Sequence, residues 1–181
     1  MIRRSKVYLR GAYGPGNLGD DVLLLCMIKI LKRQFKDNDI SISIKNIEAA
    51  KSINKDINWI PLNAPIFAKI TVLGGGGQFF SFLSKSVKDF GRFNIKLWLI
   101  SKYQQGYTFL DLLIGFLLRK AFGIGYISEK IATFCIGVGP FENGRDIEYH
   151  KALTVFEKAE FLSVRDSKSK MQVTEMCGKI P

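Results

Sequence analysis

Three times in this chain a short apolar run stops at a glycine cluster. Residues 6–13 lead into Gly11, Gly14, Gly16 and Gly19, residues 69–73 into Gly74-Gly75-Gly76-Gly77, and residues 131–136 into Gly137-Val138-Gly139-Pro140. Brief apolar runs of this length suit strands buried on both faces. Glycine after a strand allows positive φ and lets a neighbour approach the backbone closely. A chain built this way folds most simply as a parallel sheet whose connections return over its faces.

The intervening segments fit that plan. Residues 21–35 read as a helix with Val22, Leu23, Leu24, Leu25, Met27, Ile28, Ile30, Leu31 and Phe35 as its apolar set. Lys29, Lys32 and Arg33 face water, and Asp20 is placed as the N-cap. Residues 40–44 alternate Ile and Ser with the strand period. A short helix is expected over 47–53 and an extended piece at Trp59-Ile60-Pro61, with Pro61 and Pro65 marking an edge or loop. One or two helices are expected over 78–103, a buried helix over 107–122 and a helix over 146–159. A strand is expected over 161–164, then a last helix over 167–176 closed by Gly178. Strands alternating with helices predict an α/β fold, a Rossmann-like parallel sheet flanked by helices. The chain stops at Lys179-Ile180-Pro181, where a next strand would begin, and reads as the first half of something longer.

Composition narrows the partners. The 181 residues carry a formal net charge of +11, which favours anionic ligands. No run of five or six like charges and no nucleic-acid-binding motif occurs, so no nucleic-acid partner is expected. Cys26, Cys135 and Cys177 are too few and too scattered for a disulfide framework or a zinc site. Cys26 and Cys135 lie in apolar runs and read as buried free thiols in a reducing compartment. The start of the chain is too short in apolar residues for a signal peptide, and Asp111, Arg119 and Lys120 interrupt the most apolar stretch. A cytoplasmic location is expected, with peripheral contact at an anionic membrane as an option.

Ligands of parallel sheets bind outside the carboxyl ends of the strands, where all three glycine turns fall. The first turn also opens a helix, and helix starts attract anions. It is neither a P-loop nor a dinucleotide fingerprint. Each turn alone has a plain structural reading, and the grouping of all three is the stronger signal. In Ser163-Val164-Arg165-Asp166-Ser167, Arg165 offers a planar fork for carboxylate or phosphate. An Arg165–Asp166 pair with a helix cap is the competing reading. Asp20 is the candidate acid or base, with an N-cap role as its rival. His150, the single histidine, is expected on a helix surface, and Tyr13, Phe79 and Phe80 in the core.

Four motifs then carry a resemblance: Gly14-Pro15-Gly16-Asn17-Leu18-Gly19-Asp20-Asp21, Val72-Leu73-Gly74-Gly75-Gly76, Ile136-Gly137-Val138-Gly139-Pro140 and Ser163-Val164-Arg165-Asp166-Ser167. In this order they resemble the polysaccharide pyruvyl transferases over nearly the whole chain. The resemblance implies the N-terminal half of a GT-B-like two-domain fold over 1–181, the C-terminal half being absent. It implies transfer of a pyruvyl group from phosphoenolpyruvate to a sugar hydroxyl of a polysaccharide or its lipid-linked precursor, with no cofactor and no metal. Carried over by motif, Asp20 and Arg165 would be catalytic. Gly14, Gly16, Asn17, Gly19, Gly74, Gly75, Gly76 and Gly139 would bind substrate. The alternatives are a nucleotide-sugar glycosyltransferase of the same plan and a non-catalytic glycan-binding remnant.

Overall fold

The structure, a computed structural model, describes residues 3–11, 13, 18–62, 64–79, 99, 102–104, 107–122, 125–141 and 147–181. Six strands form one parallel sheet: β1 (Arg3–Arg10), β2 (Ile40–Ile44), β3 (Asn58–Pro61), β4 (Ile66–Gly74), β6 (Tyr126–Phe134) and β8 (Ala159–Phe161). Their order across the sheet is β3-β2-β1-β4-β6-β8. A second, two-stranded parallel sheet pairs β5 (Gly77–Phe79) with β7 (Gly137–Val138). The helices are α1 (Leu18–Leu31), α2 (Ile47–Lys51), α3 (Phe109–Phe122), α4 (Ile147–Lys158) and α5 (Ser167–Cys177).

The strand order fixes where a ligand can sit. From β1 the chain winds outward through β2 to β3, then returns past β1 to start β4 on its other side. The carboxyl ends of β1 and β4 therefore flank the topological switch point, where the connections diverge and leave a crevice. Register places Arg10 beside Leu73, so the turn after Arg10 and the glycine run from Gly74 leave the sheet together.

Two cores hold the sheet between helices. On one face Val7, Leu9, Ile40, Ile42 and Ile44 pack with Leu24, Met27, Ile28 and Leu31 of α1 and Ala50 of α2. On the other Tyr8, Ile66, Leu73 and Ile131 pack with Ala152, Val155 and Phe156 of α4 and Val173 of α5. Val7, Tyr8 and Leu9 thus alternate between the two cores, as successive strand residues must. Burial on both sides explains why the strands read as apolar runs.

Several elements depart from the sequence reading. Helix α1 begins at Leu18, so Asp20 lies inside its first turn and not at the N-cap position. It ends at Leu31, and turns follow, where the apolar pattern extended to Phe35. Only its 24, 27, 28 and 31 stripe is buried, while Val22 and Leu25 are exposed. Cys26 is exposed and Cys135 half-buried; Cys26 lies beside that stripe, outside the core contact. The strand expected over 131–136 breaks at Cys135, which has φ 52°, and Ile136 resumes by bridging to Val164. The strand placed at 161–164 pairs instead over Ala159–Phe161. Gln78 and Phe79, expected in a helix, lie in β5, and the helices expected over 80–98 lie outside the described residues. Helix α3 is not buried all round: Phe109, Leu110, Leu113, Phe116 and Leu117 are exposed. Among the described residues no helix is long and apolar enough to cross a membrane.

Candidate active site

The site begins at the crevice between β1 and β4. After Arg10 the chain turns at Gly11, whose α carbon sits so close to β4 that a β carbon there would lie 2.3 Å from the Gly74 carbonyl oxygen. Tyr13 then folds back beneath α1. A β carbon on Gly74 would lie 2.8 Å from its hydroxyl, and one on Gly75 would lie 3.2 Å from its ring. The space that glycine leaves at 11, 74 and 75 is thus taken by this chain's own tyrosine. Gly75 and Gly76 have φ of 65° and 69°, a backbone that only glycine adopts without strain.

Tyr13 is buried, and its hydroxyl has no hydrogen-bond partner among the described residues. Burial raises its pKa far above the ordinary phenol value, and the nearby Asp20 carboxylate adds to the rise. The phenol is therefore neutral at any physiological pH. Asp20 and Asp21, half-exposed in the first turn of α1, complement the positive end of the helix dipole.

From Gly74 the rim continues across the sheet through backbone hydrogen bonds. Gly75 N–H donates to the Phe134 carbonyl at 3.2 Å, Gly137 N–H to Gly76 at 2.9 Å, and Gly139 N–H to Phe79 at 2.6 Å. Arg165 N–H donates to Ile136 at 2.9 Å. The second and third glycine turns and the Arg165 turn are thereby tied into one continuous edge.

Arg165 closes that edge. A β carbon on Gly137 would meet its Cζ and Nη2 at 3.1 Å and its Nη1 at 3.3 Å, so the guanidinium face rests on this glycine. Its Nε donates to Asp166 Oδ2 at 3.1 Å. The other Asp166 oxygen accepts from Ser169 N–H at 2.8 Å, capping α5. These bonds hold the Asp166 carboxyl below the usual carboxylate range, the Ser169 bond contributing most. Both Arg165 readings from the sequence are therefore compatible: the pair and the cap exist, and the Arg165 side chain is 60% exposed with its Nη groups unbonded among the described residues. A guanidinium seated this way presents a fork to an incoming anion.

Gly139, placed as a substrate-binding residue, has φ 72°, and a β carbon there would lie 1.9 Å from Gln172 Oε1. That packing is a structural reason for glycine, and its partner Gln172 carries no signal in the sequence. Ser169 was also missed. Its buried hydroxyl accepts from Val138 N–H at 2.9 Å and fixes α5 against β7. Nothing in a serine's local sequence signals so distant a contact. Gly19 and Asp20 lie in the first turn of α1, while Gly14, Gly16 and Asn17 lie outside the described residues. His150 is exposed on α4, and Phe79 packs edge-on against Phe156. Among the described residues no cluster of His, Cys, Asp or Glu could hold a metal.

Among the described residues, two cavities lie at opposite edges of the sheet. A groove of about 320 Å³ between α1 and α2 opens on the carboxyl edge, lined by Asp21, Leu25, Ile44, Ala49, Ala50, Ser52 and Ile53. The larger cleft, about 590 Å³, lies at the opposite, amino ends of β1, β4 and β6, beside Arg4, Phe67, Lys69 and Ser128. Size favours the second, but topology favours the first: the strand connections diverge at the carboxyl edge, where the glycine turns and Arg165 also gather.

A search of curated proteins and of solved structures found no match. The family model described as polysaccharide pyruvyl transferase matches residues 17–179, which include Asp20, the second and third glycine turns and Arg165. By that match over most of its length, the chain belongs to the polysaccharide pyruvyl transferase family.

Proposed function

We propose that this chain forms the N-terminal wall of an active site that moves the pyruvyl group of phosphoenolpyruvate onto a polysaccharide sugar or its lipid-linked precursor. The observation that supports this most is the shared edge: Gly74–Gly76, Gly137–Gly139 and Arg165 are joined by backbone hydrogen bonds beside the switch point. The donor carries a phosphate and a carboxylate, and such groups need fixed positive charge and N–H donors. Arg165 supplies the charge, and the N–H groups of the first turn of α1, which holds Gly19, supply donors.

In the reaction a proton adds to the donor's methylene carbon, and a sugar hydroxyl bonds to its central carbon. The carbon–oxygen bond to phosphate then breaks, and a second hydroxyl closes the ketal. Both hydroxyls must lose a proton, which calls for a positioned acid or base. Asp20 takes that role. A second half of GT-B type would complete the donor pocket. The basic surface would suit a lipid-linked acceptor held at an anionic leaflet.

The test is pyruvate incorporation from phosphoenolpyruvate, read as phosphate release, with nucleotide sugars as the competing ligands in thermal shift. Stabilisation by phosphoenolpyruvate together with turnover supports the proposal. Stabilisation by nucleotide sugars alone rejects it.

A further inference from the structure

Helix α3 carries five large apolar side chains into solvent: Phe109 is 79% exposed, Leu110 51%, Leu113 47%, Phe116 60% and Leu117 53%. At about 100° per residue these five fall within an arc of about 120° on one side of the helix. The opposite side is held by the protein. Asp111 and Gly115 are buried, and Asp111 is ion-paired with Arg3 at the start of β1. Thr108 and Asp111 cap the helix reciprocally: Thr108 N–H donates to Asp111 Oδ2 at 2.8 Å, and Asp111 N–H donates to Thr108 Oγ1 at 3.2 Å. The helix is thus firmly started and anchored with its apolar stripe pointing away.

From this placement we infer that the exposed stripe of α3 is a docking surface for an anionic bilayer. The helix has 14 residues. That is about 21 Å, too short to span a hydrocarbon core of about 30 Å, so it lies in the interface plane. Phe and Leu on the outer face supply insertion into the acyl boundary. Charge selects among occupants. Residues 102–122 carry Lys102, Arg119 and Lys120 against Asp111 alone, and Asp111 is neutralised by Arg3. The chain as a whole stands at +11. A second copy would bring like charge against like, whereas an acidic leaflet complements it. This inference is independent of the catalytic reading, since it uses no residue of the carboxyl edge.

The experiment is sedimentation of the full-length protein with phosphatidylglycerol-containing vesicles and with pure phosphatidylcholine vesicles, alongside the double variant Leu113→Gln, Phe116→Gln. The wild type sediments with the anionic vesicles at low salt and far less with the neutral ones. The double variant binds at least about tenfold more weakly, with an unchanged circular dichroism spectrum and melting point. The inference is overturned if the wild type ignores anionic vesicles, if the double variant binds as well as the wild type, or if the substitutions instead split a vesicle-indifferent dimer.

Discussion

The guanidinium of Arg165 rests on the α carbon of Gly137, where an added β carbon would meet it at 3.1 Å. This contact joins the turn after β6 to the turn after β8. It makes glycine at 137 a condition for where the cation stands. Gly137→Ala would push the guanidinium aside by a few tenths of an ångström, and the exposed head of Arg165 can give way. Stability should change by no more than about 0.5 kcal/mol, while transfer falls about tenfold. Arg165→Ala should lower transfer by about 10²–10³ while costing little stability, because its ion pair with Asp166 is exposed. Paired thermal melts and initial rates would check both. Lost stability with unaltered rates would leave Arg165 a purely structural role.

Tyr13 gives the second prediction. Its ring fills the space left by Gly11, Gly74 and Gly75, but its hydroxyl is buried with no partner among the described residues. A buried hydroxyl without a partner costs about 1–3 kcal/mol. Tyr13→Phe keeps the ring and removes that cost, so urea denaturation should show a higher midpoint with an unchanged slope. A midpoint lowered by the substitution would mean that the hydroxyl has a partner in solution.

The third concerns pH. Asp111 is ion-paired with Arg3 and bonded to Thr108. Burial alone would raise its pKa, but those partners outweigh it and hold the carboxyl below its ordinary value. A lowered folded pKa means stability that is present above the unfolded value, near 4, and lost as pH falls through the folded one. Asp111→Asn should therefore cost about 1–3 kcal/mol at pH 7. The gap between wild type and variant should shrink below about pH 4, as seen by denaturant titration at several pH values. A constant gap would assign the cost to packing.

Much of the fold was legible because its signals are local. The apolar runs of β1 and β4 and the Ile–Ser alternation of β2 gave the strands of the sheet, and Asp166 with Gly178 bracketed α5 as a cap pair should. What was hidden depends on long-range contact. The left-handed Cys135 that ends β6, the small sheet of β5 and β7, and the exposure of α3 are tertiary outcomes with no local code. The site was legible as a set of strand-end glycines. Their reasons were not: Gly74 and Gly75 make room for Tyr13, Gly137 seats Arg165, and Gly139 meets Gln172. A glycine shows that something comes close without showing what.

Transfer at the carboxyl edge of the sheet can be separated from transfer in the larger cleft at its amino edge by one pair of variants. Pyruvate transfer by the full-length protein should be measured for Asp20→Asn and for Lys69→Ala, a substitution in the amino-edge cleft. Chemistry at the carboxyl edge gives a loss of about a hundredfold or more for Asp20→Asn with its melting point retained, and near wild-type rates for Lys69→Ala. Full activity in Asp20→Asn, with loss in Lys69→Ala, would contradict it.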